Sequence, residues 1–83
     1  MPTVRMYTLS TCGYCRATKL FLAENSVNYE YTDVDLLSGD KQRSVLEEMK
    51  KLNPLCTFPT IVIGDRVIVG FKRDEIREAL GIR

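Results

Sequence analysis

Two strand-like runs, Thr60-Ile61-Val62-Ile63 and Arg66-Val67-Ile68-Val69, are separated by only Gly64-Asp65. Both are rich in β-branched residues, which suit a pleated, half-buried surface. A two-residue connection of this composition permits only an antiparallel hairpin. No other feature constrains the fold as much, because the rest of the chain alternates strand with helix. A strand joined to its neighbour through a helix runs parallel to it. A chain holding both kinds of connection needs one mixed sheet.

The upstream elements follow from periodicity and punctuation. Val4-Arg5-Met6-Tyr7 reads as a first strand. Ser10-Thr11 offers capping hydroxyls to a helix that runs from Cys12 or Gly13 to about Asn25. Ala17, Leu20 and Phe21 would form its apolar face at i, i+3, i+4. Asn28 to Val34 reads as a second strand, and Ser38-Gly39-Asp40 opens a second helix from about Lys41 to Leu52. Val45, Met49 and Leu52 are its apolar stripe. Asn53-Pro54 stops it, because the residue before a proline is pushed out of the helical region. A last helix, about Arg73 to Leu80, carries Ile76, Ala79 and Leu80 and closes at Gly81. The order βαβαββα predicts an α/β fold, a mixed four-stranded sheet with three helices, as a single domain over residues 1–83.

Charge and cysteine usage narrow the function. Twelve basic and eleven acidic residues leave a net charge of +1, without the basic stripe of a nucleic-acid binder. The aliphatic runs are strand-sized, too short to span a membrane, and the N-terminus lacks a secretory pattern. Three cysteines, an odd number, suit a reducing compartment better than a disulfide-stapled secreted scaffold. A cytoplasmic, monomeric protein is expected. There is no histidine, which removes the commonest general base and metal ligand. A closed zinc site takes four Cys or His ligands, so no metal is expected. Chemistry has to come from thiols, carboxylates or backbone groups.

Cys12-Gly13-Tyr14-Cys15 lies where the first strand gives way to the first helix. Cysteines at i and i+3 of a helix start face the same side, close enough for a disulfide. The first meets free backbone N–H groups and the positive end of the helix, which favour thiolate over thiol. The second, one turn in, should be more buried and more protonated. Arg16, four residues after Cys12, reads either as a cation that lowers the Cys12 pKa or as a solvated charge. Lys19 is one position further round. By thiol exchange, Cys12 attacks a substrate disulfide and Cys15 resolves the mixed disulfide.

These residues resemble the glutaredoxin family of the thioredoxin superfamily. The resemblance spans nearly the whole chain. It rests on Tyr7-Thr8, Cys12-Gly13-Tyr14-Cys15, Thr57-Phe58-Pro59-Thr60 and Val69-Gly70-Phe71, in that order and spacing. It implies a thioredoxin-like fold with Pro59 in cis, facing the dithiol. It also implies a backbone at Phe58 that pairs with an extended substrate. Gly13, Tyr14, Thr57, Phe58, Pro59, Gly70, Phe71 and Lys72 are the substrate-binding candidates by that likeness. Two departures concern the electron donor. Glutathione-using members carry Lys or Arg three residues before the first cysteine, where this chain has Leu9. They also carry a Gly-Gly pair where this chain has Gly70 alone. Gly70-Phe71-Lys72 is instead similar to NrdH-redoxins, which thioredoxin reductase reduces.

The implied partners are disulfide-bearing proteins as substrates. The implied donor is either thioredoxin reductase or a small thiol such as glutathione, with no tightly bound cofactor. Some glutaredoxins carry iron–sulfur clusters, usually with one active-site cysteine, whereas this chain has two. Lys72 and Arg73, next to a helix start, read as an anion-holding pair or as a solvated turn. Cys56, three residues before Pro59, reads as a regulatory thiol or as small apolar filler.

Overall fold

A computed structural model, which describes residues 2–82, gives the elements in the expected order. They are β1 (Val4–Thr8), α1 (Gly13–Glu24), β2 (Glu30–Asp33), a turn of 3-10 helix (Val34–Leu36), α2 (Gly39–Leu52), β3 (Thr60–Ile63), β4 (Arg66–Val69) and α3 (Arg73–Leu80). The strand order in the sheet is β2-β1-β3-β4. β1 runs parallel to β2 and antiparallel to β3, and β3 and β4 form the hairpin. This is a thioredoxin-like fold.

Alternation along the strands divides the core in two. Val4, Met6, Ile61, Ile63 and Ile68 pack with Phe21 and Leu22 of α1 and Ile76 and Leu80 of α3. Tyr7 and Val62 point to the other face, with Val34 and Met49 of α2. All four residues of β3 are buried, since this central strand is covered on both faces. Fully burying each such aliphatic side chain contributes roughly 1.5–3 kcal/mol. The Tyr7 hydroxyl donates to Glu48 at 2.6 Å and so docks α2 on the sheet.

Three details depart from the sequence reading. Leu20 is 58% exposed, and Thr18 and Leu22 point inward in its place. The inward face is Cys15, Thr18, Phe21 and Leu22, so α1 is rotated to bury Cys15 with the expected Phe21 and to leave Leu20 outside. The second strand ends at Asp33, and Val34 turns into the 3-10 helix to bury its side chain under α2. The second helix begins two residues early, at Gly39. Among the described residues, no helix is long and apolar enough to cross a membrane.

Register determines what meets at the functional end of the sheet. Thr8 pairs with Asp33, Tyr7 with Thr60, and Thr60 with Val69. The segments just beyond these pairs, Leu9–Cys12, Val34–Leu36, Phe58–Pro59 and Gly70–Phe71, therefore leave the sheet at the same end of its strands.

Candidate functional site

The dithiol is built by the helix start itself. Cys12 has an extended backbone (φ −84°, ψ 121°) and is the N-cap of α1. Its Sγ accepts the Cys15 N–H at 3.3 Å. A sulfur therefore occupies the place of the usual capping oxygen. The expected cap, Ser10, is engaged elsewhere: its N–H donates to Asp35 Oδ1 at 2.9 Å, and its hydroxyl donates to Asp35 Oδ2. That pair ties the loop before the dithiol to the 3-10 turn. The Cys12 N–H closes the loop on the Leu9 carbonyl at 3.1 Å.

The two thiols are driven apart electrostatically. Partial burial raises the Cys12 pKa, but the hydrogen bond from the Cys15 thiol, the backbone N–H groups of Cys15 and Tyr14, and the charge of Lys19 outweigh it. The net direction is down, towards thiolate. Cys15 is fully buried, and that burial, together with its hydrogen bond to Cys12, pushes its thiol up to about 12. Both thiols are free in this structure.

The cation acting on this pair is Lys19 rather than Arg16. Arg16 is exposed, and its N–H serves α1 by donating to the Cys12 carbonyl. Long helical side chains lean back towards the N-terminus, so a lysine further along the helix serves where the nearer arginine does not. Lys19 Nζ lies 3.2 Å from Asp33 Oδ1 and 3.9 Å from the Tyr31 ring centroid.

At the same end of the sheet as the dithiol, the loop from Asn53 leads into β3 at Thr60. The Phe58–Pro59 peptide bond is cis, and Pro59 is buried. The Gly70 N–H donates to the Pro59 carbonyl at 2.8 Å, with Gly70 at φ 88°, a backbone region that favours glycine. Asn53, which the sequence offers only as a helix stop, is the hub of this loop. Its Nδ2 donates to the Thr57 carbonyl, Thr57 Oγ1 and Thr60 Oγ1 at 3.0–3.3 Å, and its Oδ1 accepts the Leu55 N–H. No sequence signal separates this role from that of a helix stop.

The remaining candidates divide between surface and packing. Gly13 and Thr57 are exposed, and Tyr14 is 71% exposed. The Phe58 side chain packs half-buried on the α2-side core, and so does Cys56. Phe71 packs on the other core, edge-to-face with Phe21 at 5.9 Å. Lys72 is the N-cap of α3 and pairs with Glu75 at 3.6 Å. Arg73 lies over the Phe71 ring. The two cations thus already have partners within α3 and its approach.

The thiol asymmetry is directly measurable. The rate of alkylation by iodoacetamide follows the thiolate fraction. In the native protein one cysteine, Cys12, is expected to titrate below the ordinary thiol value. Its midpoint should rise on unfolding in urea, because the hydrogen bonds and the Lys19 charge that favour its thiolate are lost. Cys15 should stay unreactive throughout the neutral range. Equal midpoints for Cys12 in native and unfolded protein would contradict this account.

Comparison with known proteins agrees with the geometry. The glutaredoxin family model matches residues 4–68. An uncharacterized glutaredoxin-like 8.6 kDa protein in the rubredoxin operon of Clostridium pasteurianum is 36% identical over 73 residues, covering 88% of this chain and 91% of that protein. The crystal structure of Methanosarcina acetivorans methanoredoxin superposes with a TM-score of 0.91 at 41% identity, covering 98% of this chain and 86% of that one. The glutaredoxin from Methanosarcina mazei Go1 gives a TM-score of 0.88 at 45% identity, with coverage of 98% and 80%. With a cysteine-capped helix, a buried second cysteine and this match along most of its length, the chain belongs to the glutaredoxin family of thiol oxidoreductases.

Proposed function

We propose that the protein reduces disulfides of proteins, or mixed disulfides with small thiols, through both cysteines, in a reducing compartment such as the cytoplasm. The observation that carries this reading is the Cys12 Sγ at the helix cap, accepting the Cys15 N–H, with the buried Cys15 thiol as its neighbour. Cys12 attacks as the thiolate, and Cys15 supplies the second sulfur. In this reading the exposed Tyr14 and the Phe58–Pro59 segment, which lies at the same end of the sheet, bound the substrate groove. Gly13, Thr57, Gly70, Phe71 and Lys72 extend that groove along the same end of the sheet.

The oxidised Cys12–Cys15 pair needs a donor, and we favour thioredoxin reductase over glutathione. Leu9 offers no charge to a small-thiol carboxylate, and Lys72 and Arg73 already have partners. The test supplies NADPH with either thioredoxin reductase, or glutathione and glutathione reductase, and follows reduction of insulin. The first system is expected to sustain turnover at several times the rate of the second. Turnover with glutathione alone would reverse the donor assignment, and none with either would sink the proposal.

A further inference from the structure

Lys19 favours the Cys12 thiolate in the reduced protein, but the pair Lys19–Asp33 has no part yet in the resolving step. Lys19 follows Cys15 by four residues and Cys12 by seven, so all three share one face of α1. Its ammonium is fixed by Asp33 and by the face of Tyr31. Asp33 is itself held by the hydroxyl of Thr8, fully buried on β1, which donates to it at 2.6 Å. The Lys19 and Asp33 side chains are only 22% and 15% exposed. At that depth a fixed charge acts more strongly than a solvated one. A half-buried ion pair also costs desolvation, so its position behind a dithiol calls for a reason.

Building on the dithiol reading above, we propose that Lys19, clamped by Asp33 and Tyr31, is the positioning residue of the resolving step, its fixed charge stabilising the Cys15 thiolate once Cys12 has entered a mixed disulfide. In the reduced protein three influences keep Cys15 protonated: burial, its hydrogen bond to Cys12, and the negative charge of Cys12. The backbone of Leu9 and the charge of Lys19 oppose them. When the Cys12 thiolate attacks R–S–S–R′, the Cys12–SR bond forms and R′S⁻ departs. Cys12 is then uncharged, so the charge and the thiolate acceptor that held Cys15 protonated are gone. Lys19 stays. Cys15 gives its proton to solvent, and its thiolate attacks Cys12 Sγ. The Cys12–SR bond breaks, and RS⁻ leaves and takes a proton from solvent. Two electrons pass from the dithiol to the substrate, and the dithiol becomes a disulfide.

The other charged groups around Cys15 do not replace Lys19. Asp33 on β2 pairs with Lys19, and the Asp35 carboxylate of the 3-10 turn is engaged by Ser10. Arg16 of α1 is exposed, and Lys72 at α3 pairs with Glu75. β1 and β3 present uncharged Thr8 and Thr60 at this end of the sheet.

Dithiobis(nitrobenzoate) separates the two steps, releasing one coloured thiolate when Cys12 attacks and a second when Cys15 resolves. Stopped-flow mixing with Lys19→Gln should slow the second release about tenfold near neutral pH and move its pH midpoint upward. The first release should change less than about threefold, because the helix N–H groups still act on Cys12. Lys19→Arg should restore most of the second rate. A second release within about twofold of wild type in Lys19→Gln overturns the inference and leaves the dithiol reading intact. Absence of both releases in the wild type would instead overturn the dithiol reading. A second measurement keeps Lys19 in place. In Cys12→Ser the Cys15 alkylation midpoint should fall well below about 12. A midpoint that stays there contradicts the inference whether or not Lys19→Gln folds.

Discussion

Replacing Cys12 by serine is expected to lower disulfide turnover at neutral pH by at least about a thousandfold. A hydroxyl at this cap can accept the Cys15 N–H as the sulfur does, so α1 should keep its start and the fold its stability. What is lost is the nucleophile. Serine does not ionise near neutrality, and oxygen forms no disulfide with the substrate sulfur. The buried Cys15 does not substitute, since its sulfur is fully enclosed and out of reach of a protein disulfide. Cys15→Ser should behave differently. Attack by Cys12 proceeds, the mixed disulfide has no resolving partner, and the adduct accumulates on a non-reducing gel with the mass of protein plus substrate half. Circular dichroism on both variants separates loss of chemistry from loss of fold. If Cys12→Ser kept more than about a tenth of wild-type turnover, the assignment of the nucleophile would be wrong.

This asymmetry between two nearby thiols was legible in the sequence because it depends on local geometry. Spacing of i and i+3 at a strand-to-helix junction is enough to place one sulfur at the helix start and the other one turn inside. The β3–β4 hairpin was legible for a similar reason, since Gly64-Asp65 leaves one kind of connection. The errors arose where a distant residue decides. Ser10 looks like a helix cap until Asp35, twenty-five residues away, takes its hydroxyl and N–H. Ala17, Leu20 and Phe21 look like the inward stripe until burial of Cys15 turns α1 and leaves Leu20 outside. Arg16 looks like the tuning cation by spacing, but the anchor that fixes a lysine instead, Asp33, lies on another strand. The loop leading into β3 had no local signature at all, and Pro59 was identified as part of the site only by family resemblance.

Asn53→Ala should expose how that loop is held. Asn53 is 3% exposed, and its side chain makes four hydrogen bonds to Leu55, Thr57 and Thr60. Its main chain adds two more: its N–H donates to the Met49 carbonyl at the end of α2, and its carbonyl accepts the Cys56 N–H. Alanine keeps the main-chain pair and the Thr60 hydroxyl bond to the Thr57 carbonyl but removes the side-chain set, so the loop loses most of its internal bracing while α2 keeps its end. The expected cost is about 2–3 kcal/mol, the range for stranding buried polar partners. At roughly 4–8 °C per kcal/mol for a domain of this size, Tm should fall by about 10–20 °C. Asn53→Asp should recover little, because a carboxylate accepts the Leu55 N–H but donates nothing to Thr57 or Thr60. The kinetic signature separates this loop from the dithiol. The Cys12 thiolate rests on the N–H groups of α1 and on Lys19, none of which touches Asn53, so its alkylation rate should hold. Turnover of a protein disulfide should suffer chiefly in KM, because the wall that positions the substrate has loosened. A Tm within about 3 °C of wild type would show that the loop is braced by something other than this amide.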